Sequence, residues 1–181
     1  MNLMRRFFGH LSTVTHHKRL VRKYCFRIGL YRQGLAHDLS KFSPAEFLPG
    51  VKYYLGTRSP QTMERDLHGV SAAWMHHKGR NRHHFEYWHD YLPGGAKPET
   101  CVEMPARWFA EMICDRIAAS QTYLKDKYRQ SAPYDYFAAA KHSYAMHPAT
   151  LAKLEAALIL LRDEGEERLF SYLRREVLKK R

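Results

Sequence analysis

Apolar positions recur three and four residues apart along nearly the whole chain, and no stretch shows the strict alternation of a strand bounded by hairpin turns. The pattern predicts an all-α protein. A first helix is expected over 12–30, capped by Ser12 or Thr13, with Leu20, Val21, Tyr24 and Ile28 as its apolar stripe. His17 falls on that stripe. Ser43-Pro44-Ala45-Glu46 reads as a cap, a proline at the first helical position and an acid in the first turn, opening a short helix to about residue 54. Another helix is expected over 61–77, and another over 105–128, where Trp108, Met112, Ala118, Ala119 and Thr122 keep the helical period around Asp115. Between them, 91–105 carries Pro93, Gly94, Gly95 and Pro98 and reads as an extended irregular stretch, either a lid or a plain connector. Leu151, Leu154, Leu158 and Leu161, then Leu169, Phe170, Leu173 and Val177, stripe two helical faces that part at Gly165. The segment 132–181 therefore reads as scaffold, and 12–128 as the part that bears the chemistry.

Composition narrows the class. The 181 residues suit one domain with a real core, and 45% of them are hydrophobic. Apolar runs are short and broken by charge, which excludes a membrane span, and residues 1–8 lack the apolar run and cleavage site of a secretory signal. Cys25, Cys101 and Cys114 have no paired spacing, which fits reduced thiols in a cytoplasm. The formal charge of +12 points to a polyanionic partner: a nucleotide, a nucleic acid, a phosphorylated substrate or an anionic surface.

The histidines change the picture most. His76-His77 and His83-His84 place four imidazoles within nine residues, framed by Trp74, Phe85, Tyr87 and Trp88. Neutral imidazole is a common ligand for first-row transition metals, so such clustering suggests a metal centre. Gly79 and Asn81 argue against one helix through both pairs. One pair is expected to end a helix and the other to open the next element, with Arg80 and Arg82 at the mouth of a site. Earlier, His37-Asp38 offers a nitrogen and a carboxylate to one cation, or a carboxylate that bridges two, and Lys41 lies one turn beyond His37. Asp115 sits amid an apolar face, where an ionised carboxylate without a partner would cost several kcal/mol. It requires a cation or strong donors.

His17, His37-Asp38-Leu39-Ser40-Lys41, the histidine pairs, and Ile113-Cys114-Asp115-Arg116-Ile117-Ala118-Ala119 together resemble the HD-domain superfamily of metal-dependent phosphohydrolases. The histidine pairs and the surroundings of Asp115 are most similar to its HD-GYP branch. The chain is also identified as a member of an uncharacterised bacterial and phage family marked by HDLSKF and HHxxRNxHHxEYW motifs. Three departures stand out: Ser40 in place of the glycine of HDxGK, Lys78 where the HD-GYP branch has glutamate, and no Gly-Tyr-Pro after His84. Cyclic-di-GMP hydrolysis therefore does not transfer.

The resemblance implies an HD-like helical bundle with its metal site between helices. It further implies a phosphohydrolase that acts on a nucleotide or another phosphate ester through a metal-activated water. His17, His37, Asp38 and Asp115 would hold one ion, with Asp38 able to bridge to a second, and some of His76, His77, His83 and His84 would bind that second ion or the leaving group. Asp38 and Lys41 are the candidate catalytic residues, and Lys41, Arg80 and Arg82 the candidate phosphate contacts. One or two divalent Mn, Fe, Co, Ni or Zn ions suit these ligands. Two alternatives stay open: an HD-like di-iron oxygenase, and a basic module that binds nucleic acid or protein with a structural metal or none.

Overall fold

A computed structural model describes residues 1–90 and 100–179. These residues form eight α-helices linked by short turns, with no β-strand among them and one antiparallel bridge between His89 and Cys101. The all-α expectation holds. Among the described residues no helix is long and apolar enough to cross a membrane.

Helix α1 spans Leu3–Arg27 and starts well before residue 12, because Asn2 caps it by accepting a hydrogen bond from the Arg5 amide at 2.9 Å. Its inward stripe is His10, Val14, His17, Val21 and Tyr24, all buried. Helix α2 (Tyr31–Ala36) leads into a 3₁₀ turn at Leu39–Phe42, and α3 covers Pro44–Lys52. The single helix expected over 61–77 is two, α4 at Pro60–His68 and α5 at Ala72–Lys78. Gly69 explains the break: it closes α4 with φ at 76°, a left-handed conformation open to glycine at little cost. Ser71 restarts the chain as a cap, its hydroxyl accepting from the Trp74 amide at 3.0 Å.

Helix α6 (Ala106–Leu124) packs along α1 and fills the middle of the molecule with Phe109, Ile113 and Ile117. Helices α7 (Ala132–Ala140) and α8 (Pro148–Tyr172) close the bundle, and Gly165 (φ 84°, ψ 179°) kinks α8 where the sequence pattern parts. One apolar cluster joins Val21, Tyr24 and Ile28 of α1 to Leu154, Leu158 and Leu161 of α8 through α6. Leu158→Ala should cost about 2–5 kcal/mol, read as a lower denaturant midpoint with an unchanged slope. Of the irregular stretch 91–105, residues 91–99 lie outside the described residues. Its end is anchored, with Met104 buried and its amide donating to Thr150 Oγ1 at 3.0 Å.

Candidate metal centre

The centre is assembled where α1 and α6 run side by side, and a left-handed turn completes it. Two neighbours within a helix point about 100° apart, so a His-Asp doublet held in α2 could not aim both side chains at one place. The chain solves this by leaving the helix at His37 and placing Asp38 at φ 53°, ψ 29°. Aspartate tolerates that region better than most residues, and such backbone tends to gather at functional sites. Lys18 of α1 pins the turn by donating to the carbonyls of Leu35 and His37, at 2.8 and 2.5 Å.

Asp38 is 1% exposed and faces two ways. Its Oδ2 lies 3.3 Å from His37 Nε2, 3.8 Å from His17 Nε2 and 2.6 Å from the Lys41 ammonium. Asp115 Oδ1 completes this first group at 2.9 Å from His17 Nε2 and 3.6 Å from His37 Nε2. The other oxygen of Asp38, Oδ1, lies 3.4 Å from both His77 Nε2 and His83 Nε2, and His84 Nε2 lies 2.8 Å from His77 Nε2. Each set of four offers ligand atoms that all lie within 4.8 Å of one another.

A ring of carboxylates sets the imidazoles. Glu111 of α6 accepts from His37 Nδ1 at 2.9 Å, and the same oxygen lies 3.2 Å from His83 Nδ1. Glu46 of α3 accepts from His76 Nδ1 and His77 Nδ1, both at 2.7 Å. With Nδ1 carrying the proton, Nε2 of His37, His77 and His83 turns a lone pair toward the centre, the arrangement by which outer carboxylates orient metal-binding histidines. Trp74 walls the second group, its ring 4.8 Å from that of His84.

The electrostatics favour cations between these groups. Burial pushes the Asp38 carboxyl up, but His37, Lys41 and His77 outweigh it and hold the group well below the usual range. Asp115 is likewise held down, against burial, by His17 and His37. Burial raises Glu111 too, yet the hydrogen bonds from His37 and His83 bring it to about 2. His17 and His84 are pushed down chiefly by burial and stay neutral, as a ligand must. His37 moves the other way: Asp38 overrides burial, so the field there favours a positive charge, whether proton or metal ion.

His17 Nε2, His37 Nε2, His83 Nε2 and both oxygens of Asp38 are buried without a well-directed hydrogen bond, and their near neighbours include one another, Asp115 Oδ1 and the Lys41 ammonium. Buried polar atoms almost always have partners, and these five are the atoms that converge. The donor set, two imidazoles and two carboxylates on one side and three imidazoles and the shared carboxylate on the other, fits one or two divalent transition metals.

Seven of the eight nominated ligands therefore come together: His17, His37, Asp38, His77, His83, His84 and Asp115. His76 does not: its Nδ1 donates to Glu46 as that of His77 does, but it belongs to neither group. Lys41 reaches the centre through the 3₁₀ turn and pairs with Asp38. Arg80 and Arg82 are exposed and do not line the cavity above the centre. Arg80 bonds the His76 carbonyl, and the Arg82 guanidinium lies over the rings of Tyr87 and Trp108. Among the described residues, the cation that does line the cavity besides Lys41 is Arg58.

The fold and centre define an all-α bundle built around a buried cluster of histidines and carboxylates. The chain belongs to a family of unknown function, DUF5662, whose sequence model matches residues 6–159 and so spans every residue of the cluster. No curated protein and no solved structure matches it.

Proposed function

We propose that the protein is a metal-dependent phosphohydrolase that cleaves a phosphate ester. The observation that carries this reading is Asp38, a buried carboxylate whose two oxygens address two separate ligand groups. His17, His37, Asp38 and Asp115 would hold one ion, and Asp38, His77, His83 and His84 a second. A divalent ion bound there supplies Lewis acidity, lowering the pKa of a coordinated water and offsetting charge on phosphoryl oxygens. Lys41 holds the Asp38 carboxylate in place and presents its ammonium to the cavity, where a phosphoryl oxygen would sit. Glu46 and Glu111 fix the tautomers, and Trp74 keeps water from one side of the imidazoles. The motif order, which resembles that of HD-domain phosphohydrolases, supports the same chemistry.

Elemental analysis of the purified protein beside His37→Ala and Asp115→Ala tests the reading. One or two equivalents of a transition metal are expected in the parent, reduced in both variants. Phosphoester hydrolysis should be lost to chelator and restored by one particular metal. Protein that takes up no Mn, Fe, Co, Ni or Zn would instead favour the basic binding module. Oxygen consumption by the iron form without phosphatase activity would favour an oxygenase.

A further inference from the structure

We propose that the cavity over the metal centre is a pocket for a compact phosphomonoester, and that Arg58 is the residue that captures its phosphate. This rests on the metal reading above and adds substrate size and a binding residue to it. The cavity measures about 160 Å³, and His17, His77, His84 and Asp115 contribute to its lining. A 150 Å³ protein cavity accommodates benzene, whereas pockets for drug-sized ligands run from about 300 to 1,000 Å³. The space suits a phosphoryl group with a leaving group of a few carbons. A nucleoside monophosphate would leave its base outside.

Among the described residues two cationic side chains line the cavity, and they are held very differently. Lys41 sits on the buried Asp38 carboxylate at 2.6 Å, a partner it cannot release cheaply. Arg58, in the loop between α3 and α4, pairs with Asp66 at 2.8 Å, and both side chains are about half exposed. An exposed pair of this kind contributes at most about 1 kcal/mol, so Arg58 can exchange it for a better anion. Its planar fork matches a phosphate through two parallel hydrogen bonds, which the Lys41 ammonium cannot offer. His10, also in the lining, adds no charge near neutrality, since burial and then Lys41 push it down to about 4. The hydroxyls of Tyr54 and Thr13, 3.0 Å apart and part of the lining, are neutral partners for the ester's alcohol portion.

Calorimetric titration of inorganic phosphate into the metal-loaded protein tests Arg58. Arg58→Gln should weaken phosphate binding about 10-fold, Arg58→Lys by less, and Asp66→Asn should tighten it. Arg80→Gln/Arg82→Gln should leave it within twofold. Glycerol phosphate should exceed a nucleoside monophosphate in kcat/KM by about 10-fold or more. Equal phosphate affinity in Arg58→Gln, or a preference for the nucleotide, overturns the proposal while the metal reading stands. A parent that takes up no metal overturns both.

Discussion

Asp38→Asn is expected to strip metal from both halves of the centre and to lower phosphoester hydrolysis by on the order of 1,000-fold. The substitution removes one charge shared by two ligand groups. Among the histidines Oδ2 lies nearest His37 and Oδ1 lies equally near His77 and His83, so no variant of a single histidine has the same reach. Asparagine is the right replacement because it tolerates the left-handed backbone at this position, where φ is 53°. The Lys41 ammonium loses its partner but is not sealed in, with about a fifth of the side chain exposed. Circular dichroism should therefore report an intact fold. His17→Ala and His83→Ala make the contrast, each removing a ligand from one of the two groups of four. From a parent that binds two equivalents, elemental analysis should find one lost in each of these and two lost in Asp38→Asn. Full retention of either equivalent by Asp38→Asn would break the bridging assignment.

His17 and Asp115 are legible in the sequence because a polar side chain at a core position of a helical stripe must find a partner. Both positions are where periodicity puts them, on α1 and α6, and they meet at 2.9 Å. The His-Asp doublet is legible as chemistry but not as geometry. A left-handed residue is a local backbone state, and apolar spacing carries no trace of it. Choosing among the four clustered histidines requires the turn after α5, where the Asn81 amide donates to Ser40 and to the His77 carbonyl and so folds His83 and His84 back toward Asp38. Glu111 carries a usable signal, since it lies one turn before Asp115 amid the apolar face Phe109, Met112 and Ile113. Glu46 does not, because an acid in a first helical turn has an ordinary explanation in the helix dipole. Arg58 lies in a loop, where there is no period to read.

The second large effect falls on Glu111, which lies outside both groups of four and faces His37 and His83. Glu111→Gln should weaken metal binding about 10–100-fold in both halves, because one oxygen of Glu111 aims His37 on one side and His83 on the other. The amide can still accept through its remaining oxygen, but its NH₂ then faces Gln33, whose own Nε2 donates to Glu111 Oε2 at 2.7 Å. Two donors cannot satisfy each other. Gln33 cannot simply turn over, since its Nε2 also donates to the Arg107 carbonyl at 3.0 Å and its Oε1 accepts from Arg107 Nε at 3.2 Å. The unmet pair should cost about 1–3 kcal/mol of stability, measurable by denaturation of the metal-free protein. Glu46→Gln is the discriminating control: Glu46 sets His77 but neither His37 nor His83, so metal loss there should be confined to the second group. If Glu111→Gln titrates metal as the parent does, the carboxylate is a packing element, and orientation of both halves must come from the backbone turn at Asp38.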